Sequence, residues 1–202
     1  MTRAQTIAVL GFRPHTYWTA VVAVAGEADA PQVIERRRIV FASGDERSVF
    51  HQAAEAPPAQ AASLIAKARA ATQANAGREI ATLIADLKGA GVLVRVAATA
   101  AASTKVPEKL EDILGSHARI HAAEGNFYRD VVAQGCSAVG LDVRRLVERE
   151  LPALTSDLLG IKAPMLNARL KEMGAALGPP WGEDYKLATQ AAWLCLDDAG
   201  QI

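Results

Sequence analysis

"LGFRPHT", residues Leu10–Thr16, ends one apolar run and leads directly into another. Ile7 to Phe12 and Tyr17 to Ala25 are rich in Val, Ile and aromatic side chains, which suit a pleated, buried surface. "RPHT" between them has a turn composition, so the two runs are predicted to pair as antiparallel strands. Val33 to Phe41, reached through "GEADAP", adds a third strand to the meander. Arg13 and His15 therefore stand at the tip of a buried strand, where a charged group needs a partner.

After the meander the pattern changes. Ser43 to Pro58 is polar, and Ala59 to Lys88 carries helical spacing with a predicted break at Gly77. "GVLVRVAATA", Gly91 to Ala100, reads as a fourth strand, followed by the loop "STKVPEK" and a helical region from Glu108 to about Val139. Leu141 to Val147 is a weaker fifth strand. Helical pieces then run from Ala163 to Leu177 and from Glu183 to Leu196, joined by the rigid "GPPWG". Strands separated by a helix pair in parallel. The expected fold class is α/β: a mixed five-stranded sheet, three strands antiparallel and then two parallel, flanked by helices. Alanine fills 42 of the 202 positions, mostly in the helices, which favours close packing of helix on sheet.

Composition limits what such a fold can do. With 202 residues, half of them hydrophobic, the chain is long enough for one well-buried domain, expected to span 1–202. Its 22 basic and 22 acidic side chains cancel, so contact with a polyanion must come from a local patch. Cys136 and Cys195 lie in apolar, helix-like stretches, which argues against a disulfide framework and for a reducing compartment. No targeting succession opens the chain and no apolar run approaches the ~18 residues needed to span a bilayer. A cytoplasmic protein without a membrane partner is the expectation. P-loop, Rossmann, nucleophile-elbow and paired-cysteine motifs are absent.

The order of elements resembles the ribonuclease-H-like superfamily, most closely the RuvC-type Holliday-junction resolvases. The stretches that carry this are "GFRP" at the end of the first strand and "GEDYKLATQAAWLCL", a last helix that opens with acids and continues with alanines. "SHARIHAAEG" and "GPPWGEDYK" also look like stretches of a group of bacterial proteins, a likeness that brings no activity with it. The resolvase resemblance implies carboxylates at the tip of strand one, the end of strand four and the last helix, holding two Mg²⁺ ions ~4 Å apart. This chain departs from that pattern. Arg13 stands where the first acid is expected, and strand four ends in Ala97, Ala98, Thr99 and Ala100. A guanidinium cannot ligate a cation, so only Glu183 and Asp184 remain.

Acids elsewhere could rebuild a site. In "SHARIHAAEGNFYR", Ser116 to Arg129, Ile120, Phe127 and Val131 define one apolar helical face, and His117 and Glu124 fall within about 40° of its centre. His121 follows His117 by one turn, a spacing that metal ligands use. Asp184 shares the apolar side of the last helix with Leu187. The catalytic candidates are thus Glu124, Asp184 and His117, and the metal-ligand candidates are His117, His121, Glu124 and Asp184. The cofactor would be a divalent metal, Mg²⁺ or Mn²⁺ ahead of Zn²⁺. Arg13, His15 and Lys186 are the candidate anion-binding residues.

Each has a structural alternative. His117 and Glu124 fit an internal polar pair, and Glu183 and Asp184 suit a helix's first turn. Arg36, Arg37 and Arg38 suit an edge strand, as do Arg144 and Arg145. Trp181 and Trp193 suit packing, and of Tyr17 and Trp18 only one can face a cleft. Arg13 either pairs with Glu124 or Asp184 or faces an anion. Two functional readings follow: a degenerate nuclease-like domain that binds nucleic acid or a protein partner, a homodimer included, and a metal-dependent nuclease or phosphodiesterase rebuilt on His117, Glu124 and Asp184.

Overall fold

A computed structural model describes residues 5–197. Its sheet is built from β1 (Thr6–Pro14), β2 (Trp18–Ala25), β3 (Gln32–Val40), β4 (Val92–Ala101) and β5 (Asp142–Val147). Their order across the sheet is β3-β2-β1-β4-β5. The short connections make β1–β2 and β2–β3 antiparallel, and the helical crossovers make β1–β4 and β4–β5 parallel. The expected mixed five-stranded sheet is therefore present.

The helices are α1 (Val49–Glu55), α2 (Pro58–Gly89), α3 (Leu110–Leu114), α4 (His117–Ala138), α5 (Leu151–Leu159), α6 (Ala163–Ala175) and α7 (Glu183–Trp193). Strand alternation divides the apolar side chains into two cores. Leu10, Phe12 and Val21 pack with Ile80 of α2 and Phe127 and Val131 of α4. Val9, Val22 and Val96 face the other way, against Leu151, Leu166, Ala188 and Trp193. None of the described helices is long and apolar enough to cross a membrane.

One glycine sets the position of α7. A Cβ on Gly11 would lie 1.9 Å from the Ala188 carbonyl oxygen and 2.9 Å from Ala192 Cβ. Only hydrogen at that position lets α7 lie directly on β1, which brings Asp184 in its first turn to the tip of the strand.

Three expectations change. Gly77 does not break a helix, because α2 runs through it. A Cβ on Gly135 of α4 would sit 3.1 Å from Ala76 and 3.2 Å from the Gly77 nitrogen, so small residues let α2 and α4 pack closely. The cost of a glycine inside a helix, about 1 kcal/mol, is offset at Gly135 by this close packing. The helical region from Glu108 to Val139 divides at Gly115–Ser116 into α3 and α4. The polar stretch after the meander contains α1, and α5 follows β5; neither was expected.

Candidate functional site

The parity of β1 places Arg13 on the same side as Val9 and Gly11, facing α7. Its Nη1 lies 2.9 Å from Asp184 Oδ1, and its Nη2 donates to Glu148 Oε1 at 3.1 Å. Glu148 follows directly on β5, and its other oxygen faces Arg129 Nη2 of α4 at 3.8 Å. His15 Nε2 approaches Asp184 Oδ1 to 2.9 Å, and Arg13 Nη1 contacts both His15 ring nitrogens. The open alternative for Arg13 thus resolves to Asp184, joined by Glu148, and not to Glu124.

The turn after β1 completes this arrangement. Tyr17 takes the left-handed conformation, φ 62°, while its carbonyl accepts from the Phe41 and Ala42 amides. Trp18 then stacks on His15, with ring centroids 4.1 Å apart and planes 7° from parallel. Arg38 lies 4.1 Å from the Trp18 ring centroid. Tyr17 instead packs into the core on the α2 and α4 side.

Burial lowers the pKa of His15 below its ordinary value, against the hydrogen bond to Asp184 that raises it, and the nearby Arg13 charge lowers it further. His15 is neutral near pH 7, and the contacts fit the tautomer in which Nε2–H donates to Asp184. Burial also lowers the Arg129 pKa, opposed by Glu148. Arg13 and Arg129 balance Asp184 and Glu148, so the centre carries no net charge. A two-metal site needs the opposite, several carboxylates with unmatched negative charge.

The centre retains unmet polar capacity. Arg13 Nε, Arg129 Nε and Glu148 Oε2 are buried without hydrogen-bond partners. Beside it opens a cleft of about 360 Å³ lined by Ser103, Thr104, Arg129, Glu148, Arg149 and Pro152. Lys186 lies on α7 with its ammonium 3.7 Å from Glu183, which is largely exposed.

The other candidates gather on the opposite face of the sheet. Glu124 is 5% exposed, and its Oε1 accepts from the backbone amides of Phe50 (3.1 Å) and His51 (3.4 Å). α1 has no acid in its own first turn, so Glu124 caps it from α4. The same oxygen lies 3.0 Å from His51 Nδ1. His117 and His121 reach toward His51 with their Nε2 atoms 3.0 Å apart. Both are exposed, which corrects the expectation that His117 points into the core: it is the first residue of α4, beyond the sheet's cover. His51 was not anticipated, since it lies on the unpredicted α1. Asp184 does not join Glu124 and the histidines, because α7 and α4 cover different faces.

Five other basic and aromatic residues tie parts of the fold together. Arg36 donates to the carbonyls of Gly178 (2.6 Å) and Pro179 (2.9 Å), holding the "GPPWG" joint. Arg37 pairs with Asp86 at 2.6 Å, and Arg145 with Asp130 at 2.6 Å. The Trp181 and Trp193 indoles donate to the carbonyls of Leu170 and Ala28, each at 2.8 Å.

Two solved structures of RuvC from Thermus thermophilus match almost the whole chain. One, described as RuvC in complex with Holliday junction substrate, is 9% identical with a TM-score of 0.50, and 96% of each chain is covered. The other, RuvC alone, is 10% identical with a TM-score of 0.51 and the same coverage. The fold is RuvC-like. No protein-family model and no curated protein sequence matches the chain. At this identity the likeness concerns the fold, and the RuvC-like sheet places Arg13, Glu148 and Asp184 together at the carboxyl ends of β1 and β5.

Proposed function

We propose that this chain binds nucleic acid at the carboxyl edge of its RuvC-like sheet and does not cleave it. The observation that carries this reading is Arg13 held between Asp184 at 2.9 Å and Glu148 at 3.1 Å. Where metal-dependent strand cleavage requires open carboxylates, these two are already neutralised by a guanidinium that cannot ligate a cation. The neighbouring cleft offers donors suited to phosphate: the Arg129 and Arg149 guanidinium groups and the Ser103 and Thr104 hydroxyls. The solved RuvC complex with a Holliday junction makes branched DNA the first ligand to test.

The rebuilt nuclease on His117, Glu124 and Asp184 is the weaker reading, because Asp184 is committed to Arg13 and His15 on the other face of the sheet. The test is fluorescence anisotropy with a labelled four-way junction, a duplex and single-stranded RNA, titrated with salt in the presence of Mg²⁺. Binding at low salt should weaken log-linearly with salt concentration and on Arg149→Ala, with every strand recovered intact. Absence of binding at low salt would overturn the proposal in favour of a protein partner. Cleavage lost on Asp184→Asn would overturn its non-catalytic part.

A further inference from the structure

We propose that His51, His117 and His121 form a binding site for a divalent transition-metal cation of the Zn²⁺ class, separate from the Arg13 centre. Three of the chain's four histidines meet here, although His51 is far from the other two in sequence. One ring nitrogen from each lies within 4.8 Å of the others. Ligands on a tetrahedral Zn²⁺, with bonds of about 2.0–2.1 Å, stand roughly 3.3 Å apart, so small ring rotations would close the set. His117 and His121 already bring their Nε2 atoms to 3.0 Å.

The surroundings fit a metal better than a chance cluster. His51 Nδ1 lies 3.0 Å from the buried Glu124 carboxylate, a contact that holds its proton on Nδ1 and leaves the Nε2 lone pair free. Carboxylate, histidine and metal in that order is a common outer-shell arrangement. Glu124 is itself fixed by the Phe50 and His51 amides, so the ring it orients is anchored to two helices. Because His117 and His121 are exposed, the fourth position faces solvent and a water can fill it. Imidazole nitrogens select Zn²⁺, Co²⁺, Ni²⁺ or Cu²⁺ over Mg²⁺, so this site does not supply the oxygen-rich pair that nuclease chemistry uses. Glu124 acts as a positioning residue and the three imidazoles as ligands. A bound ion would tie α1 to α4.

The test titrates Zn²⁺ into chelator-treated full-length protein by calorimetry, with Co²⁺ as a spectroscopic probe. One ion should bind per chain, and Co²⁺ should give the visible bands of a nitrogen-ligated, tetrahedral or five-coordinate ion. Zn²⁺ should also raise the melting temperature. His121→Asn and His117→Asn alter exposed side chains and should leave the fold intact while abolishing the Co²⁺ bands. Glu124→Gln should keep the bands with affinity reduced roughly 10–100-fold. Zn²⁺ binding absent in the native protein, or unchanged in both His121→Asn and His117→Asn, would overturn the proposal. Neither outcome bears on nucleic-acid binding at the opposite face.

Discussion

Arg13 and Asp184 meet at 2.9 Å, joining the tip of the first strand to the first turn of the last helix. The pair exists because Gly11 lets α7 lie directly on β1, and Glu148 extends it from the end of β5. Replacing Arg13 by Ala would leave partly buried Asp184 with only His15 beside it and Glu148 with only Arg129 at 3.8 Å. Stranding such groups costs on the order of 1–3 kcal/mol, so urea denaturation should show Arg13→Ala destabilised by about that amount. Asp184→Asn should cost less, since Arg13 keeps Glu148 and Asp184 is the more exposed partner.

His15 gives the centre a pH dependence of known sign. Its folded pKa lies below the ordinary value of 6.5, so the unfolded chain takes up the proton first. The stability contributed by neutral His15 is complete above pH 6.5 and is lost as the pH falls through the lower folded value. Denaturation midpoints measured between pH 7.5 and 5 should decline for the native protein and decline less for His15→Gln.

Gly11→Ala tests how α7 is seated. The added methyl would collide with the Ala188 backbone oxygen, which no side-chain rotation relieves. Overpacking of this kind costs about 1–3 kcal/mol or more, and the displaced helix should carry Asp184 away from Arg13. Thermal unfolding should show a lower midpoint, and the acid-side decline assigned to His15 should shrink with it.

Most of the fold was legible because its strands are short, β-branched runs bounded by turn residues. The five strands and their helical crossovers leave little choice of topology. What escaped depends on long-range packing. α1 has seven residues in a polar stretch that ends at two prolines, too short for a periodic signal, so His51 stayed hidden. Glu124 was legible as a buried acid needing partners, but those partners are the amides of the unseen helix. Gly77 reads locally as a breaker, but a single helical glycine costs only about 1 kcal/mol and α2 continues through it. Arg13 was legible as a partner for Glu124 or Asp184, and the choice depended on which helix covers the Gly11 face of β1. Glu148 had no local signal beyond its place at the end of the fifth strand. The helical wheel put His117 inward by assuming that the sheet covers the first turn of α4.

The proposed reading holds that the Arg13 guanidinium occupies Asp184 and Glu148 and so leaves them unable to take up a divalent cation. Calorimetric titration of Mg²⁺ into the native protein tests it directly, since Mg²⁺ prefers oxygen ligands and leaves the histidine cluster silent. The expected result is no Mg²⁺ binding in the native protein, and none in Asp184→Asn. Stoichiometric Mg²⁺ binding by the native protein that Asp184→Asn or Glu148→Gln abolishes would contradict the account.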